Sequence, residues 1–468
     1  MSSEGGPLDR RALLQATGAL ATVTASATGW AAWPWQKLPE QVLKPARTVV
    51  WQDFLGLNAQ LQWFAPDVAA RQVQRMKELG LNWVRLGLHW MLLEPKEGQF
   101  DLAPIDRMMK LVSDSGLKSI VYMVGTPRFA SSVDSGDKYE RYFDKFPPRD
   151  PRLYAQRLMQ VAKRYPQVNV WQVWNEPNIL GFWAPKPDPE GYGRMLLASV
   201  QGLRATVPGK PIAMAGMAYF SEMGDGSGLM IEKLGRLGAF NLDVTVAYHP
   251  YTTKAEGSDA DARDFVKRVV PAHQWLRSAG VKQIWATEWG WSSYKGPVEE
   301  QPLVGEDGQA DFTLKRLALM AALDYDKVFL FTLSDLDSRA SERDQHYGLL
   351  RLDGEPKPVF HALKRFLQVC GPRLEPDTPP AVESAKGDAP EGLVSIGWRR
   401  PDGTRLWMAW AEKKAEVRIP AQGKSAVLHH PVSGRQVALQ PSQGKLRLTL
   451  EPGLQILVQS SAPSSGQP

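Results

Sequence analysis

Cysteine is nearly absent from this 468-residue chain, which carries one, Cys370. A lone thiol closes no intrachain disulfide and builds no thiolate zinc site, so neither device holds the fold. Histidine is scarce too, seven in all, and the first strand candidate carries no His-x-His pair. A metal-dependent hydrolase, which gathers His and Asp at its strand ends, therefore lacks its ligands. No run of five like charges occurs, and no basic helix is interleaved with aromatics; 56 basic and 50 acidic residues are interspersed for a net charge of +6. That pattern is a mildly cationic solvated surface without the footprint of a nucleic-acid binder. Past residue 33 no stretch approaches 18 apolar residues, so no membrane-spanning helix is expected there. No glycine fingerprint for a nucleotide is convincing, so no cofactor is implied.

The composition that remains, 43% hydrophobic and 23% charged, is that of a folded globular protein. At this length one domain of about 200 to 350 residues with a smaller companion is the natural division. Tryptophan is abundant, 17 residues. Flat aromatic faces suit the apolar faces of sugar rings, although most will sit in the core.

Residues 1–33 begin with a short polar stretch, then Arg10 and Arg11, then a weakly apolar run closed by Ala25-Ser26-Ala27. A basic start, a short apolar segment and an Ala-x-Ala site read as an export signal of the twin-arginine kind, directing the protein to the periplasm or envelope. Leu13 replaces the Phe usual after such a pair. The other reading is an uncleaved anchor giving N-terminal membrane association, because Ala12 to Trp33 is nearly long enough to span.

From there short apolar runs alternate with helix-periodic segments. Strand candidates fall near 54–58, 82–89, 118–125, 168–175, 211–217, 243–249, 282–288 and 327–333. Runs without strict alternation suit strands buried on both faces. Between them lie helical patterns such as VAARQVQRMKELG, PIDRMMKLVSDSG and FTLKRLALMAALD, several ending in a Gly that suits a helix C-cap. Eight such units, within 45–370, predict an α/β fold, a (β/α)8 TIM barrel. Residues 371–392 are rich in Pro, Gly and charge and read as a linker. From 393 to 459 the period switches to short strands, predicting a small C-terminal β-sandwich-like domain packed on the barrel. Its Trp398, Trp407 and Trp410 serve a core as well as a sugar-binding face. The tail, 460–468, reads as disordered.

Chemistry in such a barrel sits at the C-terminal strand ends. Two of those ends carry glutamates among tryptophans: Trp174-Asn175-Glu176-Pro177-Asn178 and Thr287-Glu288-Trp289-Gly290-Trp291. Two carboxyls facing one cavity drive their proton affinities apart, so one holds a proton while the other stays charged. Double-displacement glycoside hydrolysis needs that division.

The WNEPN and TEWGW segments resemble the acid/base and nucleophile motifs of clan A glycoside hydrolases. NEPNILGFWAPKPDPEGY, MVGTPRFAS and HYGLLRLDGEPKPVFHAL narrow the resemblance, from about Leu57 to Leu367, to glycoside hydrolase family 39 and its PslG-like bacterial exopolysaccharide branch. The resemblance implies a retaining enzyme with Glu176 as general acid/base and Glu288 as nucleophile. It implies that Asn175 bonds the sugar 2-hydroxyl, and that Arg85 and Tyr251 contact the nucleophile. His249 is a core histidine or a sugar contact, and His89, Trp90, Trp183 and Trp291 line sugar subsites or pack. Strand eight, FTLSDLD, departs from relatives that end it with a tryptophan. Asp335 and Asp337 follow it and could bind hydroxyls or serve turns. The implied partner is a polysaccharide or oligosaccharide, cut endo in an exopolysaccharide; the alternatives are an exo-acting β-xylosidase type and a non-catalytic polysaccharide-binding protein.

Overall fold

Strands β1 (Leu55–Ala59), β2 (Trp83–His89), β3 (Lys118–Val124), β4 (Val170–Val173), β5 (Ile212–Met217), β6 (Thr245–Tyr248), β7 (Ile284–Trp289) and β8 (Lys327–Leu330) close into a parallel barrel, β8 pairing β1. This is a computed structural model, and it describes residues 41–460 apart from 254, 257–260, 300, 385–388 and 424. The expected export segment, 1–33, and the expected tail beyond 460 lie outside the described residues. A helix follows each strand: α1 (Pro66–Glu78), α2 (Ala103–Asp114), α3 (Pro151–Arg164), α4 (Pro189–Thr206), α5 (Met230–Arg236), α6 (Asp261–Ser278), α7 (Gly305–Ala322) and α8 (Pro358–Cys370). The TIM barrel expected from the sequence is the fold observed.

The local chemistry explains the helix limits. Pro opens α3 and α4, where no N–H is needed, and Asp150 and Asp188 accept backbone N–H groups at 2.8 and 2.9 Å as caps. The seven-residue α5 is the one barrel helix that hydrophobic spacing leaves unmarked, being too short to show a period.

Inside the barrel, period two along the strands stacks the side chains in layers. The lowest layer is apolar: Trp83, Ile120, Val170, Ala213, Trp285 and Phe329 pack together. Two residues further along the same strands stand Arg85, Tyr122, Gln172 and Thr287, all buried. Above them the strand ends open toward solvent.

The C-terminal region is a large antiparallel-rich sheet and a small one. The large sheet runs Gln436–Leu439, Ser425–His429, Gln455–Ser460, Arg405–Trp410, Val394–Arg399, Arg373–Pro376 and Val49–Val50, with Gln41–Leu43 parallel to Val394–Arg399. The small one holds Glu383–Ser384, Ala415–Pro420 and Lys445–Leu450. Alternation along the large sheet divides its faces. Ile396, Trp398, Met408, Trp410 and Ile456 join the barrel's own core, while Trp407, Ala409 and Leu457 meet Val417, Ile419 and Leu448 of the small sheet. Trp398, Trp407 and Trp410 are all buried, so the three tryptophans are core. The stretch 371–392, expected as a linker, contributes Arg373–Pro376 and Glu383–Ser384 to the two sheets. Residues 41–50, ahead of the barrel, also add strands, which ties the chain's described start to its end.

Candidate active site

Glu176 follows β4 and Glu288 lies near the end of β7. Both are buried, 7% and 8% exposed, yet each keeps an edge toward the barrel mouth. One carboxylate oxygen of each and a ring nitrogen of His249 lie within 4.8 Å of one another. The backbone that presents the acid is strained: Trp174 and Glu176 have φ of 72° and 45°. Side chains beyond glycine occupy that region at a cost, and Pro177 restricts Glu176 further. Anchors hold the turn in place. The Trp174 N–H donates to the Tyr154 hydroxyl at 3.1 Å, its indole N–H to Phe182 O at 3.1 Å, and the Glu176 N–H to Gly216 O at 2.9 Å.

Arg85, fully buried on β2, organises the layer beneath. Its Nε donates to Gln172 Oε1 at 2.7 Å, one terminal nitrogen to Asn58 Oδ1 at 2.8 Å and Glu288 Oε1 at 2.5 Å, and the other to Asn175 Oδ1 at 2.8 Å. A guanidinium with five N–H groups in one plane can serve four acceptors on three other strands; an ammonium could not. The Tyr122 ring covers one guanidinium face, its centroid 4.0 Å from Arg85 Cζ. Burial pushes the Tyr122 phenol up to about 12, with Arg85 opposing.

His249 sits beside the other glutamate. Nδ1 lies 2.8 Å from Glu176 Oε1 and 3.7 Å from Glu288 Oε2, and Nε2 lies 3.0 Å from Thr287 Oγ1. Burial takes its imidazole down to about 3 despite the Glu288 charge, so the ring is neutral. Tyr251 stands edge-on to His249, centroids 6.4 Å apart, and packs on Tyr347 and Tyr219. Burial first, and the Glu288 charge second, hold its phenol well above the usual range. Glu288 is partnered by Arg85 at 2.5 Å and by His249 at 3.7 Å, where the sequence resemblance had Tyr251 as a contact beside Arg85.

His89 ends β2 at the mouth, its ring 6.4 Å from that of Trp63. Burial, then the Lys145 charge, lowers it to about 4. Trp90, Trp183 and Trp291 are buried and make packing contacts. Trp90 is fully buried with its N–H on Glu94, Trp183 packs between Trp174 and Tyr192, and Trp291 packs against Phe312 and Arg316. Asp335 accepts from the Gly348 N–H at 2.9 Å and Lys357 Nζ at 3.0 Å, and Asp337 pairs with Arg339. Both clamp the loop after β8. Phe331, half-buried beside the strand of Glu288, donates its N–H to Trp289 O and packs on Tyr347. Asn58, Tyr122, Gln172 and Thr287 were not among the sequence candidates. Asn58, Tyr122 and Gln172 each interrupt a largely apolar strand run, and Thr287 directly precedes Glu288, the only signals that mark them.

Glu176, His249 and Glu288 form the one group among the described residues able to offer three ligand atoms to a cation. The Arg85 guanidinium already neutralises Glu288 in that space, which works against a second positive charge.

Comparisons with known proteins bear on the fold. The family model for glycoside hydrolase family 42, beta-galactosidase, matches residues 61–131, well under half of the chain. No curated protein matches the sequence. Among solved structures, a family 39 glycoside hydrolase from the gut symbiont Bacteroides cellulosilyticus WH2 superposes with a TM-score of 0.62 at 18% identity, over 89% of this chain and 81% of its own. A family 30 endoxylanase from Clostridium papyrosolvens C71 gives 0.59 at 12% identity, over 90% and 98%. A glucosidase from Croceicoccus marinus gives 0.56 at 12%, over 91% and 99%. The chain shares the fold of these three glycoside hydrolase structures. These likenesses extend over the C-terminal sheets as well as the barrel, since they cover about nine-tenths of the chain.

Proposed function

We propose that the protein is a retaining glycoside hydrolase that cleaves β-linked O-glycosyl bonds of a polysaccharide. The observation that carries this is the approach of the Glu176 and Glu288 oxygens within 4.8 Å. Retaining enzymes hold their carboxyls about 5 to 5.5 Å apart, whereas inverting enzymes leave roughly 6.5 to 9.5 Å for a water. Glu288, ion-paired with Arg85, attacks the anomeric carbon as a carboxylate. Glu176 gives its proton to the leaving oxygen, then takes one from the water that releases the sugar from Glu288.

The neutral His249 accommodates both states of Glu176. One tautomer serves throughout: Nδ1–H donates to Glu176 Oε1 while the Thr287 hydroxyl donates to Nε2, which leaves the other carboxyl oxygen of Glu176 to carry the proton that passes to the leaving group.

Endo action on a polymer is what the resemblance to the exopolysaccharide branch implies. Export to the envelope, drawn from the N-terminal pattern, accords with such a substrate. The test is a panel of aryl β-glycosides and polysaccharides, including the exopolysaccharide of the source cell, with products read by size, viscosity and NMR. Early oligosaccharides, falling viscosity and first-formed β-anomers are expected. Single sugars at constant viscosity would favour the exo alternative, α-anomers would exclude retention, and binding without any cleavage would leave a non-catalytic sugar-binding protein.

A further inference from the structure

Tyr122 lies directly opposite Gly87 in the pairing of β2 with β3, and Arg85 pairs with Ile120 one step lower on the same inward face. Because Gly87 has no side chain, the Tyr122 ring can lie across β2 and cover Arg85. A Cβ at Gly87 would stand 2.5 Å from the Tyr122 hydroxyl and 2.7 Å from its Cζ, distances no side chain tolerates. Gln62 Nε2 donates to Gly87 O at 3.0 Å, which holds the backbone that the ring lies across. The four hydrogen bonds of Arg85 lie in the guanidinium plane and resist sliding within it; they do little against tilting out of it. The ring face at 4.0 Å opposes that tilt and keeps water from the cation.

We propose that Tyr122 is a positioning residue for the reaction: through its ring face, in the space Gly87 leaves open, it holds the Arg85 guanidinium in the plane that orients the attacking oxygen of Glu288. The effect on turnover rests on the glycosidase reading above; the effect on Arg85 does not. Arg85 touches both Tyr122 and Glu288, so the ring acts on the glutamate through the guanidinium.

Two readouts separate these. The first is steady-state kinetics on the aryl β-glycoside that the wild type cleaves fastest. The second, needing no substrate, is hydrogen exchange of the Arg85 Nε–H by NMR, the resonance being assigned by its loss in Arg85→Lys. Tyr122→Phe keeps the ring and is expected to stay within about threefold of wild type in both. Tyr122→Leu removes the face; kcat is expected to fall roughly tenfold or more with KM changed less than about threefold, and exchange to quicken at least about tenfold. Gly87→Ala, which pushes the ring away without removing it, should move both readouts the same way, and it decides the matter should the Leu variant fail to fold. Unchanged exchange, or faster exchange with wild-type kcat, would overturn the proposal. If the wild type cleaves no glycoside, the glycosidase reading fails, and exchange alone decides whether Tyr122 holds Arg85.

Discussion

Arg85 is where the polar groups of the site converge, and its value lies in shape as much as charge. Lysine at this position would place three donors on a single nitrogen, unable to reach Gln172, Asn58, Glu288 and Asn175 together. Each buried acceptor left unpaired costs on the order of 1–3 kcal/mol. Arg85→Lys is therefore expected to lower kcat/KM by roughly a hundredfold or more while the protein stays folded, as read by kinetics beside circular dichroism. Activity within about threefold of wild type would show that charge alone suffices at this position.

At the level of single elements, β5 shows how a strand serves the site by what it omits. A Cβ on Gly216 would sit 2.0 Å from His249 Nε2 and 2.4 Å from Thr287 Oγ1, while the Gly216 carbonyl anchors the Glu176 N–H. Gly216→Ala must push His249 from its place between Glu176 and Thr287, so kcat should fall by roughly a hundredfold with a modest drop in Tm. Retained activity would detach His249 from the support of Glu176. The eight barrel strands were legible because burial on both faces leaves continuous apolar runs, and the two glutamates because WNEPN and TEWGW sit at strand ends. Asn58, Tyr122, Gln172 and Thr287 were not, because a polar letter inside an apolar run acquires meaning only once closure of the barrel decides which strands face each other. Trp90, Trp183 and Trp291 were candidates for the mouth because sequence does not distinguish a tryptophan that packs from one that meets a ligand. Strands as short as Val49–Val50 and Glu383–Ser384 carry no period at all; an existing sheet edge recruits them.

Across the whole molecule, one core runs from the barrel into the large C-terminal sheet, and the pH dependence of stability should report on buried histidines within it. His249 and His273 are both buried and both lowered to about 3, by burial first. Their unfolded counterparts bind a proton near pH 6.5, so between pH 6.5 and about 3 unfolding takes up protons and acid weakens the fold. The urea midpoint is expected to fall between pH 7 and 5, by an amount equivalent to a few kcal/mol, and to fall less in a His249→Gln, His273→Gln double variant. A flat wild-type midpoint would contradict the neutral state assigned to His249. In the proposed mechanism that neutral ring beside Glu176 and the guanidinium beside Glu288 give separate tasks to two carboxyls that bring one oxygen each within 4.8 Å. The stereochemistry of azide rescue reads those tasks most directly. In Glu176→Ala, a substrate with a good leaving group still glycosylates Glu288, and azide intercepts that intermediate to give the β-glycosyl azide. In Glu288→Ala no such intermediate forms, and azide enters from the vacated face to give the α-glycosyl azide. NMR of the two products is expected to find β from the first variant and α from the second; the reverse assignment, or near-normal hydrolysis by either variant, would contradict the roles given to these glutamates.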